Sequence, residues 1–220
     1  ALADFDLALE LYEKRFGIDH PEYAICLENR GGVLYRMGRV EETFAALEQV
    51  REIRLRNLGP SHIDVVRTGL NMGTVSSLAG NYERALDIFR ELKPILIEAR
   101  GLEHPDVLTV LRNEGLALRS LKRHDEALAV LEEAVEISSR MYGNDHPQTA
   151  RSRADRGTVL GRMKRYAEAV QDLGAAFDVY LADLGAEHVR TSSVAKSLVV
   201  LYEQMGDAGQ ADRYQAYVKE

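Results

Sequence analysis

Five histidines with acidic neighbours are the residues of this chain best suited to metal chemistry. His20, His62, His104, His146 and His188 stand beside Asp19, Glu103, Asp145 and Glu187, and imidazole with carboxylate is a donor set that divalent metals accept. The histidines, however, recur at a fixed interval of 42 residues without an insertion, each inside a short tag such as Gly17-Ile18-Asp19-His20-Pro21 or Gly143-Asn144-Asp145-His146-Pro147. A strict period in this range marks a solenoid, whose units bury their apolar faces against their neighbours. Equivalent points on stacked helices lie about 8–10 Å apart per layer, whereas zinc ligands must all lie within about 2.2 Å of one ion. The histidines therefore read as turn and helix-cap residues, and no metal or other cofactor is expected. Cys26, the single cysteine, forms no internal disulfide or thiolate cluster and reads as a small buried apolar side chain. No nucleophile motif, phosphate loop or dinucleotide fingerprint occurs, so no enzyme activity and no catalytic residue are expected, with a metal-dependent enzyme the most distant reading.

A second ladder has different chemistry. Asn29, Asn71, Asn113, Asp155 and Ser197 share one phase of the repeat. An amide donates and accepts at once, which suits it to hold the backbone of an extended peptide, or equally to bond the next helix and link units. Charge is also segregated. The windows 21–37, 63–79, 105–121, 147–163 and 189–205 hold 11 Arg or Lys against 7 Asp or Glu, while the rest of the chain holds 17 against 28. In helical phase with the asparagines lie Arg36, Arg67, Arg112, Arg119, Arg151, Arg162 and Lys196. Such cations pair with carboxylate or phosphate, unless Glu28, Glu114 and Glu203 merely balance them on a solvated face.

The elements that must position these residues follow from apolar spacing. Pro21 to Met37 and Val40 to Leu58 both carry apolar residues at helical intervals, and the same two segments recur in later units, so each unit is a helix pair. The tag glycine suits a left-handed residue that ends one helix, and Pro21 suits the first position of the next. Within each unit a glycine or lysine ends the first helix (Gly38, Gly80, Lys122, Lys164, Gly206). A small residue follows at the sixth place, where the second helix must come close. Gly31, Gly73, Gly115 and Gly157 share one phase of the first helix and imply backbone contact there, since glycine costs about 0.5–1 kcal/mol relative to alanine in a helix. Pro94 should kink its helix locally, and His124 takes the place of Tyr82 and Tyr166 as a packing substitute.

These residues resemble tetratricopeptide repeats, specifically the 42-residue kind of kinesin light chain. Ala24, Leu27, Asn29, Gly31, Leu34 and Tyr35 match in the first unit, and Asn71, Asn113, Tyr82 and Tyr166 in others. The resemblance implies an all-α, right-handed α-solenoid (superhelix) of stacked antiparallel helix pairs, with the first helices lining a concave surface. It also implies that Asn29, Asn71 and Asn113 contact a cargo peptide. The expected organisation is one domain over 1–220. Residues 1–16 are the second helix of a truncated unit, and units follow at about 17–58, 59–100, 101–142, 143–184 and 185–220, the last a cap in which Val199 replaces the helix glycine and Asp212 and Gln215 replace apolar residues. Starting half-way through a unit, the chain reads as a piece of a longer protein.

A net charge of -7 argues against nucleic-acid affinity, and no apolar run reaches the ~18 residues of a membrane span. The expected protein is cytoplasmic: a protein-interaction module holding an extended, acidic peptide of a partner along its concave face. Two alternatives stand beside this reading: a regulatory or sensor tail of a larger signalling protein, such as a kinase or nucleotide-switch enzyme, and a scaffold that self-associates through exposed terminal helices.

Overall fold

The computed structural model describes residues 1–219, and every regular element among them is a helix. The chain divides into two compact units, Ala1–Leu102 and Glu103–Glu220. Unit one holds α1 (Leu2–Phe16), α2 (Pro21–Arg36), α3 (Val40–Leu58), α4 (Ile63–Leu78) and α5 (Tyr82–Arg100), each packed on the next. Unit two holds α6 (Pro105–Ser120), α7 (His124–Tyr142), α8 (Pro147–Arg162), α9 (Tyr166–Leu184), α10 (Val189–Met205) and the short α11 (Ala208–Gln215). These also pack in sequence order, and α8 touches α6 and α10 as well. The fold is an all-α solenoid of stacked antiparallel helix pairs, and within each unit successive helices cover one another's apolar stripes.

The histidine ladder is a set of caps. At His20, His62, His104, His146 and His188 the Nδ1 atom accepts the backbone N–H of the residue two further on, at 3.1–3.2 Å in all five. One of the orphan N–H groups at each helix start is thereby satisfied. The imidazoles of His20 and His146 also stack on Phe16 and Tyr142, the last residues of the preceding helices, at 4.6 and 4.7 Å. No group of three metal-ligating side chains forms among the described residues.

Two expectations about glycine are corrected. The tag glycines are not in the left-handed helical region: Gly101, for instance, has φ 81° and ψ 162°, and the other four lie close to it. That combination is populated essentially by glycine alone, whereas the left-handed region also admits asparagine. The in-phase helix glycines, in turn, make room for side chains more than for backbone. A Cβ at Gly73 would lie 2.4 Å from the Phe89 ring, one at Gly115 2.5 Å from Leu131 Cγ, and one at Gly157 2.9 Å from Leu173 Cγ. Only at Gly157 does backbone come close, with the Ala169 carbonyl at 3.2 Å, and at Gly31 the nearest atom, Ala46 Cβ, is an ordinary 3.5 Å away.

At the sixth place Thr43, Ala85, Ala127, Ala169 and Ala211 are all buried, as close helix approach requires. Phe89, Leu92 and Leu96 fill the core of unit one and Leu111, Leu118, Leu131 and Ile137 that of unit two, all without exposed surface or nearly so. Each such side chain contributes about 1.5–3 kcal/mol by leaving water. Pro94 lies inside α5, which runs on to Arg100. Cys26 is buried, with its Sγ 3.8 Å from the Phe5 carbonyl oxygen. In the last unit Val199 is buried, while Asp212 and Gln215 face solvent. Among the described residues no helix is long and apolar enough to cross a membrane.

Candidate functional site

The two ladders of the first helices meet different fates. Asn29 on α2 and Asn71 on α4 are exposed and Asn113 on α6 is half-buried; among the described residues none of the three amides makes a hydrogen bond. At the fourth rung Asp155 does make a cross-helix link. Its carboxylate accepts from Arg112 Nε at 2.8 Å and Nη2 at 2.5 Å, joining α6 to α8. Ser197, the fifth rung, donates to the Ser193 carbonyl of its own helix.

The basic residues divide in the same way. In unit one Arg36 is exposed and Arg67 pairs with Asp64 at 2.9 Å. Glu28 does not serve these cations: it is held at 2.6 Å by the buried Arg54, which also donates to Thr68 Oγ1 and so ties α2, α3 and α4 together. In unit two Arg112 is only 4% exposed and its charge is already met by Asp155, so its place is inside the wall and not on the open face. Arg119, Arg151, Arg162 and Lys196 remain. Among the described residues none of these four takes an ion-pair partner.

Three adjoining hollows bring the four together. One, of about 250 Å³, is lined by Arg119, Arg151, Asp155, Tyr180, Arg190 and Ser197. A second, of about 430 Å³, is mainly apolar, with Gly157, Gly161, Val200 and Leu201 in its wall beside Arg162 and Lys196. A third, of about 420 Å³, lies among Arg119, His124 and Arg162. Thr158 borders all three, so they form one continuous concavity. Gly157 and Gly161 let Leu173 and Leu201 pack close against α8, and these leucines form part of the apolar wall.

Crowding of cations marks the centre. Burial, then the neighbouring charges of Arg112 and Arg190, lower the pKa of the Arg151 guanidinium from its ordinary value, and Asp155 only partly offsets them. Burial and then the Asp155 charge raise that of the Tyr180 phenol, so the hydroxyl stays protonated and available as a donor. The starts of α3, α7 and α9 are the opposite case. There Arg39 pairs with Glu42, Arg123 with Glu126 and Arg165 with Glu168, each within one helical turn at 2.6–2.7 Å. Excess positive charge is thus confined to the first-helix side.

Tyr180, Arg190, Thr158 and His124 were not foreseen at this face. Arg190 left a trace in the repeat, since its slot holds an acid in three of the four earlier units (Glu22, Asp64, Asp106) and Gln148 in the fourth. Tyr180 left none, because its register is filled by Arg54, Leu96 and Ser138 in turn.

Stacked helix pairs in each unit define a helical-repeat fold. The chain belongs to the tetratricopeptide repeat family, whose model matches residues 26–98, 65–140 and 106–182. Comparison with the curated proteins finds no match. Among solved structures the chain is similar to the nearly identical TPR-like repeats of a Podosopora anserina protein described as a kinesin light chain, at 20% identity and TM-score 0.73, covering 90% of this chain and 94% of that one. It is also similar to BtubC (BKLC) from P. vanneervenii, at 15% identity and TM-score 0.78, covering 98% and 89%. A Rap protein complexed with competence and sporulation factor aligns at 14% identity and TM-score 0.68, over 97% of this chain and 61% of that one. At these identities the likeness is one of fold. The tetratricopeptide fold generally mediates protein–protein interaction, and its repeat arrays are typically non-enzymatic scaffolds.

Proposed function

We propose that the protein binds an extended acidic peptide segment of a partner along its first-helix faces. The observation that carries this reading is the set of cations, Arg119, Arg151, Arg162 and Lys196, that line adjoining hollows of unit two and form no ion pair among the described residues, in a chain of net charge -7. A carboxylate seated there makes charge-assisted bonds worth about 1.5–3 kcal/mol each. The apolar hollow around Val200 and Leu201 adds room for a hydrophobic side chain beside the acid, so the favoured segment is acidic and apolar in turn. Asn113 in unit two, and Asn29 and Asn71 in unit one, present unengaged amides that can hold a peptide backbone; Arg36 and Arg67 lie on the same side of unit one, and Arg112 acts by holding Asp155. A Rap protein complexed with competence and sporulation factor, among the similar folds, agrees in kind, although that factor is the partner of Rap.

The test is a peptide-library screen against the isolated chain, followed by titration of the best acidic sequence. Changing Asn71 and Asn113 together to alanine weakens binding by about 1–3 kcal/mol per lost buried bond with helicity intact. A library showing no acidic enrichment overturns the reading, and unchanged affinity of the double variant removes the asparagines from it.

A further inference from the structure

The hollow between α8, α9 and α10 is more specific than a generally basic surface. Four guanidinium groups lie in or beside it: Arg119, Arg151 and Arg190 in its wall, and Arg112 behind Asp155. One carboxylate, Asp155, answers them, and two N–H groups of Arg112 already hold it. The local balance is therefore about three positive charges. Tyr180 is the second observation. It is only 2% exposed, lines the hollow and makes no hydrogen bond among the described residues. Its hydroxyl oxygen is not itself sealed from solvent, so it reaches the open space of the hollow and can donate to a ligand atom there.

We propose that this hollow is a receptor for a phosphoryl group on the bound peptide. A glutamate side chain would bring one negative charge and two acceptor oxygens, leaving most of the cationic excess uncompensated. A phosphoserine or phosphothreonine brings nearly two charges and three acceptor oxygens at neutral pH. Three arginines supply the forked donors that phosphate geometry favours, and the Tyr180 hydroxyl supplies one more. At about 250 Å³ the hollow admits a phosphoryl group with the first carbon of its side chain. The assignment rests on the peptide-binding reading and narrows it to modified partners.

The experiment uses the whole chain and immobilised seven-residue libraries that are degenerate except at the centre, fixed as phosphoserine, serine or glutamate. A fourth library is rich in Asp and Glu throughout. Retention on the phosphoserine library is expected to exceed serine and glutamate by about ten-fold, in line with one or two additional charge-assisted bonds. Arg151→Gln, which breaks no ion pair among the described residues, is expected to abolish the excess with an unchanged melting temperature, and Tyr180→Phe to reduce it about three-fold. Equal retention of phosphoserine and glutamate, with the acidic library still bound, overturns the phosphate receptor and leaves the acidic-peptide reading standing. Failure of every acidic library to bind overturns both. A phosphoserine preference that survives Arg151→Gln places the receptor elsewhere and overturns the assignment to this hollow.

Discussion

Arg112 and Asp155 bridge α6 and α8 through two hydrogen bonds, the shorter 2.5 Å, with the arginine almost wholly buried. The pair sits one residue away from the asparagine ladder at Asn113 and on the ladder itself at 155, so a rung that is open elsewhere is here spent on linking helices. Asp155→Asn leaves a guanidinium buried without its counter-charge, and a loss of about 3 kcal/mol is expected. Urea unfolding monitored by circular dichroism measures it. A loss under about 1 kcal/mol shows that the pair behaves as a surface bridge.

The in-phase glycines separate into two kinds. Gly115→Ala drives a methyl group to 2.5 Å from Leu131 Cγ and is expected to cost about 1–3 kcal/mol. Gly31→Ala meets nothing closer than 3.5 Å and is expected to stabilise by about 0.5–1 kcal/mol through better helix propensity. The two midpoints, compared in the same denaturant series, should move in opposite directions.

Lys122 and Lys164 hold φ of 61°, where Gly38, Gly80 and Gly206 serve in the other units. Lys122→Gly relieves a left-handed penalty of about 1–2 kcal/mol but gives the unfolded chain more freedom, so a net gain of about 0.5 kcal/mol is expected. At Gly143, with φ 88° and ψ 168°, alanine is expected to cost about 1–3 kcal/mol. Differential scanning calorimetry of the two variants gives both signs.

Tyr180 makes the fold sensitive to alkali. Its pKa is raised in the folded state, first by burial and then by Asp155, so folding favours the protonated phenol. The stability that this contributes is complete below the unfolded tyrosine range near about 10 and is lost as pH rises through the folded value. Tyr180→Phe should flatten the alkaline limb of a stability profile at pH values above the unfolded tyrosine range near about 10.

Cys26 reports on α1. Burial raises its thiol pKa, which lowers the thiolate fraction at any given pH, and its Sγ faces the Phe5 carbonyl of α1. Reaction with a disulfide reagent at pH 8 should therefore run about ten-fold or more slower than for the urea-unfolded chain. Charged substitutions at Leu2 and Leu9, which loosen α1, should speed it.

Much of the fold was legible because a period of 42 residues shows the same junction five times. The helix limits at Pro21, Val40 and Leu58 followed from proline, glycine and apolar spacing alone. The site was less legible. Phase placed Arg119, Arg151, Arg162 and Lys196 on one side, but phase carries no information about partners. Arg112 has the phase of an open residue yet is buried, because Asp155 lies 43 residues away in sequence and one helix layer away in space. Tyr180 comes from the second helix of its pair and breaks no repeat rule, so nothing in the repeat marks its place beside the arginines.

Each helix pair is joined to the next by the same hinge chemistry: a glycine conformation that other residues rarely reach, then an imidazole that closes the next helix. Such joints are interchangeable parts. A chain severed at one glycine and spliced to another keeps both halves of this backbone fastening, so a 42-residue module can be added or removed without changing the junction itself. The length of the array is thus free to change while the fastening stays the same.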